Sequence, residues 1–149
     1  MSFEERNAVS SILVCLVTWS VMLWVLWTYT ATGRFSGADG LAHWAQTVLW
    51  LIAIGVGIAI VMTVLFNIGY GIFTGERKVD FLSDERDKII GLRGIQATLI
   101  VMTLGVIAAF VALAMNVAIL TVLNMILAAC AIGSFASEVT KLVLYRRGV

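Results

Sequence analysis

Few residues of this chain are suited to chemistry. There is one histidine, His43, and there are two cysteines, Cys15 and Cys130, which do not form a CxxC pair. A single histidine excludes a bis-histidine haem and a histidine-rich metal site, and cysteines flanked by apolar residues are typical of small buried side chains. The sequence also lacks a phosphate-binding loop and a plausible Ser/His/Asp set. We therefore expect no enzyme activity, no metal site and no cofactor.

Glu138 is the acidic residue in the most unusual position. It follows a stretch of 44 uncharged residues that begins after Arg93. If this stretch lies in a membrane, an ionisable side chain at its border is a candidate functional residue. The distribution of charge along the whole chain decides whether that condition holds.

Charged residues are absent from three long stretches of 27, 36 and 44 residues. Apolar and aromatic residues make up 61% of the chain, which is far above the share in soluble domains. The sequence therefore predicts an integral membrane protein rather than a soluble enzyme, a disulfide scaffold or a disordered segment. Its net charge of +1 gives no expectation of nucleic-acid binding.

The lengths of these stretches predict four crossings of the bilayer. One helical crossing needs about 20 apolar residues, so the first two stretches fit one crossing each. The third is about twice as long as one crossing, and we expect it to fold back at residues 115–117. The predicted spans are residues 11–29, 44–66, 95–114 and 118–137, in a single all-α transmembrane four-helix bundle.

The basic residues predict the orientation of the bundle. Nine of the ten, namely Arg6, five in the 74–94 loop and three after residue 140, would lie on one side of the membrane, against Arg34 alone on the other. Because cytoplasmic segments carry the excess of Lys and Arg, both termini and the 74–94 loop should be cytoplasmic.

The 74–94 loop has the strongest polar signature of the chain. It holds five basic and five acidic residues, so its net charge is zero. Ser83 is a suitable N-cap for the third helix, which should begin before the membrane and make the loop a projecting cytoplasmic hairpin. The candidate partner-docking residues lie at that helix start: Asp84, Glu85, Arg86, Asp87 and Lys88.

A resemblance rests on the same segment. The run Ser83-Asp84-Glu85-Arg86-Asp87, with Ile90 and Arg93-Gly94 after it, resembles a group of small prokaryotic multi-span membrane proteins of unknown function that carry a D-E-R-D signature beside a span. The resemblance implies a four-helix protein of a prokaryotic inner membrane. It implies no activity.

Arg93 and Glu138 should lie at nearly the same depth. Arg93 is 23 residues before Asn116, and Glu138 is 22 residues after it. In an antiparallel hairpin the two side chains would then form a structural ion pair at the cytoplasmic interface. Lys141, one helical turn beyond Glu138, is the competing partner.

Polar and small residues follow two further patterns in the spans. A polar path is possible if the side chains of Asn67, Gln96, Asn124, Ser134 and Glu138 converge. Hydrogen bonds between helices, worth about 0.6 kcal/mol each, explain these residues equally well. The small residues Ala129, Gly133 and Ser137 recur every four positions, and Gly105 and Ala109 form a shorter set. Such faces indicate close helix packing, either within the bundle or in a homodimer.

Two function classes follow from these patterns, and a third, a membrane enzyme, is not expected because the sequence lacks a catalytic set of residues. The first is a small accessory or regulatory membrane protein that docks a partner through its charged cytoplasmic hairpin. The alternative is a small oligomeric channel or transporter with a polar path near Glu138. In both classes the expected partners are the lipid bilayer and either further copies of this chain or another membrane protein.

Overall fold

The computed structural model describes the backbone of residues 3–74 and 85–147, and the side chains of these residues except 3–7, 67, 70, 73 and 74. The described chain forms four helices: α1, Phe3–Ala31; α2, Gly40–Thr74; α3, Glu85–Ala114; and α4, Ile119–Arg147. All four are long and apolar enough to cross a membrane. The prediction of a four-helix membrane protein is therefore confirmed. Most of the predicted hairpin, residues 75–84, lies outside the described residues.

The helices pack in the spatial order α3, α4, α1, α2. Substantial contacts join α3 to α4, α4 to α1, and α1 to α2, whereas α2 and α3 make few contacts or none in the described part of the chain. Consequently α4 is the helix that connects the two hairpins. The bundle is open on the side between α2 and α3.

The interface between α3 and α4 depends on small side chains. A Cβ at Gly105 would overlap the Cβ of Ala129, and Gly133 lies against the backbone of Thr98, whose carbonyl oxygen would be 3.3 Å from an added Cβ. Ala129, Gly133 and Ser137 are all buried. The small-residue face of α4 is thus covered by α3 of the same chain, as expected for packing within the bundle.

The turn between α3 and α4 lies at the predicted position. The N–H of Val117 donates to the carbonyl of Ala112 (3.1 Å) and that of Asn116 to Leu113 (3.0 Å), which together form a Schellman motif. Asn116 has a φ of 60°, a left-handed conformation that asparagine tolerates better than most residues. The long apolar stretch therefore folds back at residues 115–117.

An aromatic cluster closes the opposite hairpin, between α1 and α2. Phe35 folds back from the connecting turn and is buried with Met22 and Leu26 of α1 and Trp44 and Val48 of α2. The indole N–H of Trp44 donates to Oδ1 of Asn124 on α4, at 3.0 Å. We call this end of the bundle the loop end. The start of α1 and the end of α4 define the terminal end.

Helix α2 is continuous and approaches α1 closely at one glycine. A Cβ at Gly55 would be 2.9 Å from Cγ2 of Thr18, whereas one at Gly57 would meet nothing within 4 Å. The hydroxyl oxygen of Thr18 is buried and has no hydrogen-bond partner among the described residues. Of the two glycines in the middle of α2, only Gly55 therefore allows α1 and α2 to pack closely.

Candidate functional site

A cavity of about 640 Å³ lies between α1, α2 and α4. Thr98 is the residue through which α3 contributes to its wall. Towards the middle of the bundle the lining is apolar and includes Trp19, Met22, Leu51 and Leu127. We call this space the inner cavity.

The polar groups of the inner cavity lie near the terminal end. Ser11 is in the first third of α1, Thr63 is in the last third of α2, Thr98 is in the first half of α3, and Ser137 and Glu138 are in the second half of α4. The four helices alternate in direction, which brings these positions to a similar depth. The cavity therefore has one polar end and one apolar end.

Glu138 forms its ion pair with Lys141. Nζ of Lys141 is 2.7 Å from Oε1 of Glu138, and the side chain of Glu138 is only 17% exposed. Arg93 is exposed and has no ion pair with Glu138 in the described part of the chain. The predicted Arg93–Glu138 pair is therefore wrong, and the competing partner Lys141 takes its place.

The prediction placed Arg93 at the correct depth relative to Glu138 but on the wrong face of α3. At this level Gly94 faces α4: a Cβ at Gly94 would be 2.9 Å from Oγ of Ser137 and 2.7 Å from Cε of Lys141. Arg93 precedes Gly94 by one residue, and one residue turns a helix by about 100°. Its side chain therefore points away from α4, and the aliphatic stem of Lys141 lies over Gly94 instead.

Two hydroxyls of the cavity wall are used as donors. Ser134 donates to the carbonyl of Cys130 (2.8 Å) and Thr98 to the carbonyl of Gly133 (3.1 Å). A hydroxyl that donates its hydrogen keeps lone pairs with which it can accept a hydrogen bond. Ser134 and Thr98 therefore face the cavity as acceptors.

The predicted polar path does not form as a whole. Ser134 and Glu138 line the inner cavity, but Asn124 accepts the hydrogen bond from Trp44 at the loop end and Gln96 is exposed. The side chain of Asn67 lies outside the described residues. Only two of the five path residues are therefore brought together.

Sequence reasoning missed part of the cavity. Ser11, Thr98 and Ser137 are not among the candidate path residues, although each places a hydroxyl at a similar depth in its helix. The signal that identifies them is this common depth, because a single hydroxyl in an apolar span is unremarkable. Cys15 and Cys130 also line the cavity as free thiols. The described residues contain no group of three or more potential metal ligands.

A charged surface lies at the terminal end, where α3 begins and α4 ends. The hydroxyl of Tyr145 on α4 donates to Oδ1 of Asp87 on α3, at 3.2 Å. Arg86 donates to the backbone carbonyl of Tyr145, at 3.5 Å. These bonds tie the two helix ends together, while Glu85 and Lys88 are exposed beside them. Asp84, the remaining docking candidate, lies outside the described residues.

Basic residues are in excess on this surface. The segments 85–93 and 138–147 together contain six basic and three acidic side chains. Glu138 and Lys141 pair with each other, which leaves five basic and two acidic side chains. Of these, Asp87 is bonded to Tyr145 and Arg86 donates to the Tyr145 carbonyl. We call the exposed part of these two segments the terminal surface.

Comparison with known proteins gives no match that could help to interpret this site. No family model matches the chain, and neither a curated protein nor a solved structure shows significant similarity to it.

Proposed function

We propose that this chain is a small accessory or regulatory protein of a prokaryotic inner membrane, not an enzyme, and that it docks a partner through the terminal surface. In this proposal both termini and the 74–94 hairpin are cytoplasmic. The partner is another membrane protein or its cytoplasmic part. Its contact face carries charges complementary to those of the exposed Glu85 and Lys88.

The observation that carries the proposal is the bond between Asp87 and Tyr145. It fixes the start of α3 against the end of α4, so the exposed side chains of Glu85 and Lys88 project from a rigid base. A surface ordered before binding loses less conformational entropy on association than a flexible one. Such a base suits docking better than a loop that only connects two spans.

The alternative, an oligomeric channel or transporter, receives narrower support. Ser134 and Glu138 border a cavity, but Asn124 is bonded to Trp44 and does not extend a polar route towards the loop end. The apolar half of the inner cavity likewise lacks the charged or carbonyl groups that line known ion paths. Within one chain the apolar lining thus supports a binding site better than an ion-conducting pore.

The experiment that tests the proposal exchanges two exposed charges. In the double variant Glu85→Lys/Lys88→Glu the net charge is unchanged and Asp87 is retained, so the contact with Tyr145 is preserved. The protein is extracted gently from its own membrane and examined by native mass spectrometry. We expect the wild type in a heteromeric complex of fixed ratio and the double variant without the partner.

A charge reversal at the loop end serves as the control. Asp39 is exposed in the turn between α1 and α2, so Asp39→Lys should leave the complex intact. A homo-oligomer that persists unchanged in the double variant would contradict the accessory role. Circular dichroism of each variant verifies that the helices are retained.

A further inference from the structure

We propose that the inner cavity binds a lipophilic organic cation, with its apolar body among α1, α2 and α4 and its positive charge at Glu138. This inference is independent of docking at the terminal surface. It rests on the volume of the cavity, on its division into a polar and an apolar end, and on the sign of its charge.

The size and location of the cavity suit a small lipophilic molecule. Its volume of about 640 Å³ falls within the range of about 300–1,000 Å³ that is typical of small-molecule sites. Because α2 and α3 make few contacts or none among the described residues, the gap between them offers a route to the cavity, and this gap faces the hydrocarbon of the bilayer if the four helices cross it. A ligand that enters this way must first dissolve in the membrane and therefore needs a large apolar body.

The charge of the lining selects a cation. Among the residues that line the cavity there is one acid, Glu138, and no base. Lys141 occupies Oε1 of Glu138 and is not part of the lining. No other hydrogen bond or ion pair holds Glu138 among the described residues, so Oε2 remains to face a ligand.

Two hydroxyls of the cavity wall point to the same conclusion. Ser134 and Thr98 already donate to backbone carbonyls, so they face the cavity with lone pairs. Lone pairs and a carboxylate stabilise a positive charge and disfavour a phosphate or a fatty-acid carboxylate. The head group of an anionic lipid is therefore a poor occupant of this end.

Direct binding of two matched ions tests the proposal. Tetraphenylphosphonium and tetraphenylborate have similar size and shape and opposite charge. Each radiolabelled ion is equilibrated in separate samples with the full chain in nanodiscs of neutral phosphatidylcholine, and partitioning into empty nanodiscs is subtracted. We expect saturable binding of tetraphenylphosphonium with one site per chain, and none of tetraphenylborate.

Two pairs of variants locate the site. Glu138→Gln should weaken cation binding at least tenfold, whereas Glu85→Gln, the same change on the terminal surface, should not alter it. Ala59 lines the cavity and Ala53 is exposed on the same helix. Ala59→Phe should therefore abolish binding by filling the cavity, and Ala53→Phe should preserve it.

The outcomes separate clearly. Equal binding of both ions, absence of saturation, or unchanged binding in Glu138→Gln or Ala59→Phe overturns the proposal and leaves the cavity as space filled by lipid chains. If Glu138→Gln does not fold, the comparison of the two ions and the Ala59/Ala53 pair decide the question. Cation binding that persists in Glu85→Lys/Lys88→Glu shows that the cavity and the terminal surface act independently.

Discussion

The substitution Gly105→Ala tests the packing of α3 against α4 most directly. The added Cβ would overlap the Cβ of Ala129 and lie 3.3 Å from its Cα. Both atoms are fixed to the backbone of α4, so rotation of a side chain cannot relieve the contact. The two helices must move apart at the position where they are closest.

The expected loss of stability follows from two opposing terms. Overpacking of a tight interface costs about 1–3 kcal/mol, and a contact between backbone-anchored atoms belongs at the upper end of that range. Replacement of glycine by alanine inside a helix returns about 0.5–1 kcal/mol. We therefore expect Gly105→Ala to lower the free energy of unfolding by about 2 kcal/mol.

A second substitution should restore the interface. Ala129→Gly removes the Cβ that Gly105→Ala would meet, so the double variant has the same pair of side chains with their positions exchanged. Its stability should lie within about 1 kcal/mol of the wild type, which corresponds to a coupling energy of about 3 kcal/mol between the two sites. Gly57→Ala is the matched control, because a Cβ there meets nothing within 4 Å.

The assay is unfolding by sodium dodecyl sulfate in mixed micelles, followed by tryptophan fluorescence and circular dichroism. The wild type, both single variants, the double variant and Gly57→Ala are compared. The reasoning is refuted if Gly105→Ala is as stable as Gly57→Ala, or if Ala129→Gly does not rescue it.

Three further outcomes are expected. Asn124→Leu removes the acceptor of the Trp44 indole and should lower the free energy of unfolding in the same assay by about 1 kcal/mol; unchanged stability would contradict this. Tyr145→Phe removes the donor to Asp87 and should speed amide hydrogen exchange at the start of α3 but not in the rest of the chain. Unchanged exchange at the start of α3 would show that this hydrogen bond does not hold the two helix ends together. Lys141→Met removes the cation that pairs with Glu138 and should tighten tetraphenylphosphonium binding up to about fivefold, since such an ion pair is worth about 1 kcal/mol; weaker binding would contradict the proposed site.

Helix number and hairpin register follow from the sequence because they depend on chain length and local chemistry. Uncharged stretches fix the number of crossings, and Asn116 supplies the left-handed residue on which the last hairpin turns. Counting from that turn correctly brought Arg93 and Glu138 to one depth. The same count cannot predict the rotation of α3 about its axis. That rotation depends on Gly94 and Gly105, the positions at which α3 packs closely against α4.

The inner cavity was less accessible to prediction for a different reason. Its walls come from helices that are distant in sequence, and hydropathy does not tell which helices are neighbours. Asn124 is an example. From the sequence it could line a polar path or form a hydrogen bond between helices, and only the position of Trp44 in the structure decides between these two roles. The charged 74–94 segment was recognised from composition, but the bond from Tyr145 to Asp87 requires knowledge of the partner helix.

The central position of α4 has a consequence for biosynthesis. Among the four helices α4 is the last to leave the ribosome, yet α3 has its substantial contacts with α4. When three helices have been inserted, the membrane therefore holds a packed α1–α2 hairpin and an α3 without its main partner. Only the arrival of α4 can join α3 to the first hairpin, so the two hairpins assemble into one bundle after translation of all four helices.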